Sequence, residues 1–303
     1  MQVQPECIPC IVTMTVIAIR ELGIQGDRAK DLLARILAIP SLRGLTWNVT
    51  SPEVLETVMH RIRDATHKID PFQEVKALQN RRMMAIVPFL KDTLKAAQDP
   101  LYTAVKLAVI GNTIDLMMGN RPIDIENSIA ERLKDPISDS AYREFRNRLA
   151  RCRSLVYLGD NAGEIVCDRL LMETIRQTHD VDMVFVVRSV PTLNDATRRE
   201  AESVGIHETA TILENGIDGP CPGTILGRCS QAVRKRIGDA DLIISKGGGN
   251  FDALEEEEEE IKGKITFMLL SKCTPYCNFF GVGLHQPILA HIPSKNRIGD
   301  VRD

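Results

Sequence analysis

Residues 155–164 read Leu-Val-Tyr-Leu-Gly-Asp-Asn-Ala-Gly-Glu and contain a complete strand–turn–helix junction. The four residues 155–158 predict a short buried strand, which Gly159 ends, and apolar residues return at helical spacing over 165–171. In open α/β sheets, ligands collect where strands end and helices begin. Asp160 and Asn161 offer hard oxygen ligands at that place, and Glu164 follows within one helical turn.

A simpler interpretation is that Asp160 only caps the helix that follows it. A cap needs one such side chain, whereas this turn has an Asp-Asn pair together with Glu164. We therefore favour a ligand site at this turn.

The second half of the chain alternates between strand and helix patterns. This alternation predicts a doubly wound α/β fold, with a parallel sheet and helices on both faces. The first half shows helical patterns and little strand signal, so we expect a mainly helical domain over 1–150 and an α/β domain over 151–303. The predicted strands are 155–158, 181–187, 210–213, 241–245 and 265–270, and the predicted helices of the second half are 168–178, 195–204 and 222–235.

Polar residues repeatedly follow the predicted strands. Because parallel strands end at one edge of the sheet, we expect these residues to converge there. Two carboxylates, amides and two lysines at one edge suit a divalent cation together with a phosphate. These two carboxylates are Asp160 and Asp195, and the other polar residues expected at this edge are Asn161, Glu164, Arg188, Asp218, Lys246, Asn250 and Lys272.

The segment Lys246-Gly-Gly-Gly-Asn250 has two interpretations. Its glycines expose backbone N–H groups that can surround an anion, and the lysine adds positive charge. The lysine precedes the glycines, so the segment is not a Walker loop, and it lacks the spacing of a dinucleotide-binding turn. It can equally be a flexible turn.

Composition excludes several classes of protein. The 303 residues are 44% hydrophobic and 26% charged, as in ordinary globular proteins, and the net charge of −3 argues against a nucleic-acid partner. No apolar run reaches the length of a membrane span, and residues 1–20 lack a secretory signal pattern, so we expect a cytoplasmic protein without a membrane partner.

Two further motifs leave their roles open. Gly111-Asn112-Thr-Ile-Asp115 interrupts an apolar helix, either as a kink between core helices or because Asn112 and Asp115 face a ligand pocket. Cys7-Ile-Pro-Cys10 has the spacing of half a zinc site, and Cys273 with Cys277 would be the second pair, but ordinary burial of the thiols is the favoured interpretation. A thioredoxin-like redox role would need a preceding strand, which the sequence does not predict. Because the cysteine pair precedes the first helix of the helical half, we expect it to lie away from the strand-end edge and to affect stability rather than turnover.

Short motifs in a fixed order resemble the damage-control phosphatases, a family once catalogued as domain of unknown function eighty-nine, and the N-terminal cysteine pair is similar to its archaeal and bacterial branch. They are Cys7-Ile-Pro-Cys10, Asp70-Pro-Phe with Lys76 and Asn80, Gly111-Asn-Thr-Ile-Asp115, Gly159-Asp-Asn-Ala-Gly-Glu164, Pro191-Thr-Leu-Asn-Asp-Ala-Thr197, Gly216-Ile-Asp218 with Pro222-Gly223, Asp241-Leu-Ile-Ile-Ser-Lys-Gly-Gly-Gly-Asn-Phe251 and Leu269-Leu-Ser-Lys-Cys273.

The resemblance implies a three-layer α/β/α Rossmann-like sheet with a helical N-terminal domain. It also implies that Asp160, Asn161 and Asp195 hold a divalent metal and that Lys272 meets the substrate phosphate. Leu269 and Leu270 stand where the family's signature has Arg and Thr, which is a departure at the substrate contacts.

We therefore predict a metal-dependent phosphatase for phosphate monoesters of small metabolites such as sugar phosphates, with Asp160 and Lys272 as catalytic residues. The predicted substrate contacts are Asn112, Asp115, Glu164, Asp218, Lys246 and Asn250. The oxygen ligands allow Mg or Mn, and the amide ligand also allows Ni or Co. Either metal-bound water or Asp160 is the nucleophile. The alternatives are an S-adenosylmethionine-dependent carboxyl methyltransferase and a non-enzymatic metal- or phosphate-binding protein.

Overall fold

One sheet occupies the centre of the protein, whose computed structural model describes residues 1–111, 124–257 and 259–292. Within these ranges six strands pair in the order β3-β2-β1-β4-β5-β6. The first five strands are parallel, and β6 runs antiparallel to β5, so the sheet is mixed rather than wholly parallel as expected. The strands are β1 Ser154–Leu158, β2 Asp182–Val187, β3 Thr211–Glu214, β4 Leu242–Lys246, β5 Ile265–Leu270 and β6 Pro287–Ala290.

Fourteen helices of the described ranges surround this sheet. They are α1 Cys7–Glu21, α2 Gly26–Leu37, α3 Ser51–Thr66, α4 Gln73–Ala85, α5 Val87–Ala96, α6 Pro100–Ile110, α7 Ile125–Arg132, α8 Asp139–Leu149, α9 Glu164–Arg176, α10 Arg198–Ser203, α11 Gln231–Asp239, α12 Gly247–Leu254, α13 Glu259–Lys262 and α14 Thr274–Phe280. None of them combines the length and the apolar character that crossing a lipid bilayer would require.

Both faces of the sheet are covered, because successive strand residues point to opposite faces. In β1, Leu155 and Tyr157 join an apolar core with α5, α6, α8 and α9, whereas Val156 and Leu158 join a second core with α11 and α12. The arrangement confirms the predicted α/β/α layers. The first core includes residues from both sides of position 150, and the predicted domain division at that position stays a prediction.

The first three helices form a separate apolar core, here called the N-terminal helical cluster (α1–α3). This core also includes Leu193, which belongs to the loop after β2. The N-terminal helical cluster therefore packs against a loop at the carboxyl ends of the parallel strands.

Several predicted elements differ from the observed ones, and the predicted helix 168–178 begins already at Glu164. The predicted helix 222–235 begins only at Gln231, where Ser230 caps it, because prolines and glycines interrupt the residues before it. The predicted helix 195–204 begins only at Arg198, after a capping box formed by Thr197 and Glu200. The glycine segment after Lys246 is the first turn of α12 rather than a loop.

Candidate functional site

The loops that follow β1 and β2 are joined by backbone hydrogen bonds. The Ala162 N–H donates to the Asn194 carbonyl at 2.8 Å, and the Ala196 N–H donates to the Asp160 carbonyl at 2.8 Å. Asn161 and Asp195 thus face each other as an isolated antiparallel bridge. This pairing brings together the three residues Asp160, Asn161 and Asp195, as the strand-end argument predicted.

Each of these loops contains a residue with a left-handed backbone. Gly163 has φ +80° where the first loop enters α9, and its N–H donates to the Asn80 side chain at 2.7 Å. Leu193 has φ +41°, which is uncommon for a residue with a branched side chain. Its burial among the N-terminal helical cluster stabilises this conformation, so packing of α1–α3 holds the loop that contains Asp195.

A cavity of about 210 Å³ opens above these loops. Of the predicted site residues, Asp160, Asn161, Asp195 and Lys272 line it. A larger groove of about 610 Å³ runs along β6, and none of the predicted site residues within the described ranges lines it. The remaining side chains around the smaller cavity are mostly apolar and include Ile11, Met14, Leu55, Leu193, Leu270 and Pro275.

The two carboxylates at the cavity floor are almost fully buried, with Asp160 7% and Asp195 3% exposed. Burial raises the pKa of Asp160 well above its usual range, and the nearby Asp195 and Glu164 raise it further, whereas Arg188 and Lys272 oppose the shift. Burial also raises the pKa of Asp195, against the opposing effect of Arg188. The site therefore favours a positive charge beside these two groups.

A second group of charges lies beneath the cavity floor. The Lys246 ammonium donates to Glu164 Oε1 at 2.6 Å and to Asp168 Oδ1 at 2.6 Å, and Tyr157 donates to the same Asp168 oxygen at 2.7 Å. Lys246 is 0% exposed. Burial raises the pKa of Asp168 to about 6, with Lys246 opposing the shift.

This buried group connects to the cavity through Asn161. The Asn161 amide donates to Asp160 Oδ2 at 2.8 Å and to Glu164 Oε2 at 3.3 Å. With both N–H bonds directed at carboxylates, the carbonyl oxygen of Asn161 is turned away from them. That oxygen is the atom with which an amide binds a cation.

Those predicted substrate contacts that the structure describes lie outside the cavity lining. Asn250 is fully buried and donates to the Gly159 and Lys246 carbonyls at 3.1 and 2.8 Å. The Asp218 side chain is 94% exposed and pairs with Arg228. Glu164 and Lys246 lie in the buried group just described, and Asn112 and Asp115 fall outside the described residues.

The prediction that Cys7 and Cys10 lie away from the strand-end edge is wrong. Cys7 and Cys10 line the same cavity as Asp160 and Lys272, because α1 begins at Cys7 and its first turn lies over the strand-end edge. Cys273 lines the cavity too. In the described ranges no group of three or more His, Cys, Asp or Glu side chains is placed to hold a metal ion, so the structure does not support the zinc interpretation.

No role was predicted for Arg188, which was expected only as one of the polar residues at the strand-end edge, or for Asp168. Arg188 is 2% exposed, and its Nε donates to Asp195 Oδ2 at 2.7 Å. A signal existed for both residues: Arg188 directly follows a buried strand, and Asp168 lies one helical turn after Glu164 on the same face of α9.

A six-stranded α/β protein with paired strand-end loops and buried carboxylates under a small cavity has the architecture of an enzyme. The family model described as the damage-control phosphatase ARMT1-like domain matches residues 3–288. The chain therefore belongs to the damage-control phosphatase ARMT1-like family, which confirms the resemblance seen in the motifs.

Several relatives match over nearly the whole chain. An uncharacterised protein of Methanocaldococcus jannaschii is 31% identical, with 95% of each chain covered. Damage-control phosphatase PH1575 of Pyrococcus horikoshii is 30% identical, covering 90% of this chain and 92% of the relative. A damage-control phosphatase of Archaeoglobus fulgidus is 29% identical, covering 94% of this chain and 97% of the relative.

The fold matches as well. The crystal structure of PH1575, a DUF89 family protein of Pyrococcus horikoshii, superposes with a TM-score of 0.83 at 26% identity, covering 97% of this chain and 100% of that chain. Membership of a phosphatase family favours the hydrolase prediction over the methyltransferase and the non-enzymatic alternatives.

Proposed function

We propose that this phosphatase is metal-dependent and hydrolyses phosphate monoesters of small metabolites such as sugar phosphates. The observation that supports metal dependence is a cluster of buried carboxylates at the cavity floor. Asp160 and Asp195 lie close enough for the charge of Asp195 to raise the pKa of Asp160, and burial raises the pKa of both. A divalent cation bound between them would stabilise their ionised forms.

The donor set fits a hard cation. Asp160, Asn161 and Asp195 would hold it through two carboxylates and one amide oxygen. Because no three His, Cys, Asp or Glu side chains in the described ranges are placed to hold a metal, substrate oxygens and water would complete the coordination. Mg²⁺ and Mn²⁺ are commonly bound in this way, and the amide also allows Ni²⁺ or Co²⁺. When bound, the cation would neutralise charge on the phosphate and polarise its P–O bonds.

Lys272 is the predicted phosphate contact. Its side chain is exposed at the cavity, and its charge acts on both Asp160 and Cys10. Such a lysine can bind a phosphate as a point charge and stabilise the charge that develops during transfer. Glu164, Lys246 and Asn250 would support the floor from beneath instead of touching substrate.

The cavity restricts the substrate to a compact molecule. A volume of about 210 Å³ holds a phosphate and a small organic group. Sugar phosphates and similar small phosphate esters are the appropriate panel.

The test is hydrolysis of p-nitrophenyl phosphate by chelator-treated protein, with and without added Mg²⁺, Mn²⁺, Ni²⁺ or Co²⁺. We expect activity only with a divalent metal, and a loss of about a hundredfold or more in Asp160→Ala and Asp195→Ala. Asp239→Ala is the matched control, because Asp239 is an exposed carboxylate paired with Lys235 on α11. Full activity without metal, or in either site variant, would contradict the proposal.

The same protein can identify the nucleophile. Enzyme stopped with acid during turnover is treated with borohydride, which reduces an aspartyl-phosphate to homoserine, and mass spectrometry then reads position 160. Homoserine at position 160 indicates an aspartyl-phosphate, and an unmodified Asp160 indicates direct attack by water.

A further inference from the structure

We propose that Arg188 is a positioning residue that holds Asp160 and Asp195 at the separation a divalent cation requires. This inference rests on the proposed metal dependence of the site. Arg188 follows β2 and is 2% exposed, and it does not line the cavity. Its effect must therefore reach a ligand through the side chains it contacts.

The guanidinium contacts both carboxylates from below. Its Nε donates to Asp195 Oδ2 at 2.7 Å, and its Nη2 lies 3.6 Å from Asp160 Oδ1. Within the described residues Nη2 has no hydrogen-bond partner, and its ion-pair contact is with Asp160. One planar group thus lies beside both predicted metal-binding carboxylates.

The opposite side of the guanidinium is fixed by neutral groups. Nη1 donates to Thr224 Oγ1 at 3.1 Å and to Asn250 Oδ1 at 3.0 Å, and Thr224 itself donates to Asn250 at 2.8 Å. Thr224 and Asn250 are each 0% exposed. These contacts come from two further segments of the chain, so the plane of the guanidinium is set independently of the carboxylates.

In this proposal the guanidinium fixes the positions of the two carboxylates in addition to balancing their charge. Two buried carboxylates repel each other, and without a fixed partner they would rotate apart or take up a proton. A guanidinium presents N–H groups in a rigid fork, whereas a lysine ammonium is a point charge on a flexible stem. Arg188→Lys keeps the charge but removes the fork, so it separates positioning from charge balance.

The experiment measures Mn²⁺ affinity by calorimetry on folded protein without substrate. Residues that orient metal ligands typically change metal affinity by about 10- to 100-fold when mutated, and we expect a loss in that range for Arg188→Lys. Raising the Mn²⁺ concentration should then recover part of the lost turnover. An unchanged Mn²⁺ affinity in Arg188→Lys would refute the positioning role and leave only charge balance.

Arg228→Lys is the matched control, because Arg228 forms a two-point pair with Glu56 outside the cavity lining, at 2.6 and 2.8 Å. It should lower the melting temperature without changing Mn²⁺ affinity. If Arg188→Lys fails to fold, Thr224→Val removes one of the bonds that orient the guanidinium and should weaken Mn²⁺ binding by a few-fold. Equal Mn²⁺ affinity in Thr224→Val and wild type would then refute the proposal.

The outcome also separates this inference from the function on which it rests. Wild-type protein that binds no Mn²⁺, Mg²⁺, Ni²⁺ or Co²⁺ would overturn the metal-dependent function itself. If wild-type protein and Arg188→Lys bind Mn²⁺ equally tightly, the positioning role of Arg188 is overturned and the metal-dependent function is not.

Discussion

Replacing Lys246 by methionine should be among the most damaging single changes in the described part of the protein. The ammonium is 0% exposed and lies 2.6 Å from both Glu164 and Asp168. Methionine fills a similar volume but leaves the two carboxylates facing each other without a cation. Lys246→Met therefore removes the positive charge that balances Glu164 and Asp168, with little change in packing.

The magnitude follows from this burial. Removing one partner of a buried ion pair typically costs about 3–5 kcal/mol. Burial already raises the pKa of Asp168 to about 6, so Asp168 can take up a proton when Lys246 is absent. This protonation limits the loss of unfolding free energy, and we therefore expect a loss at the lower end of that range, about 3 kcal/mol. For a chain of this size that corresponds to a drop in melting temperature of roughly 6–12 °C.

The assay is urea unfolding of the wild type and Lys246→Met at pH 8 and pH 5. The loss of unfolding free energy caused by Lys246→Met should be smaller at pH 5, because protonation of Asp168 removes its repulsion with Glu164. Lys235→Met is the matched control: Lys235 pairs with Asp239 at 2.5 Å, but the two side chains are 76% and 61% exposed. Such exposed pairs contribute about 0–1 kcal/mol. A loss in Lys246→Met no larger than in Lys235→Met would refute the reasoning.

Two other predictions concern Lys272 and His291. Lys272→Ala should keep bound metal and melting temperature but lose turnover by roughly a hundredfold, with Lys272→Arg recovering little, and normal turnover in Lys272→Ala would end the catalytic assignment. Burial lowers the pKa of His291 from 6.5 to about 4, so its contribution to stability is present above pH 6.5 and is lost as the pH falls toward 4. When the pH falls from 7 to 5, the wild type should therefore lose about 2 kcal/mol more unfolding free energy than His291→Gln does. Urea unfolding measures both losses, and equal losses would contradict the lowered pKa of His291.

The local signals in the sequence predicted much of this structure. The segment 155–164 forms β1, a turn and the start of α9 as expected, because both the strand and the helix are specified by neighbouring residues. Asp160, Asn161, Asp195 and Lys272 line one cavity because parallel strands place their carboxyl ends at one edge. That inference needs only the order of the elements and no knowledge of side-chain contacts.

The burial of Lys246 could not be predicted from the order of the elements. The predicted strand ended at residue 245, which left Lys246 in a turn at the edge. In the structure β4 includes Lys246, and side chains alternate along the strand, so Lys246 points to the same face as Leu242 and Ile244. That face is covered by α9, which contains Glu164 and Asp168. A difference of one residue in the strand end therefore separates a surface cation from a buried one.

The cavity wall could not be predicted from any local pattern, because it depends on where the helical part docks. The N-terminal helical cluster packs on Leu193, and that contact places the first turn of α1, with Cys7 and Cys10, over the loops that contain Asp160 and Asp195. Residues near the start of the chain thus complete a cavity whose floor begins about 150 residues later. Apolar side chains of α1 and α3 in the cavity wall lower the polarity beside the carboxylates, which strengthens the interaction of these carboxylates with any cation bound there. The helical part is therefore a component of the proposed metal site and not an appendage to it.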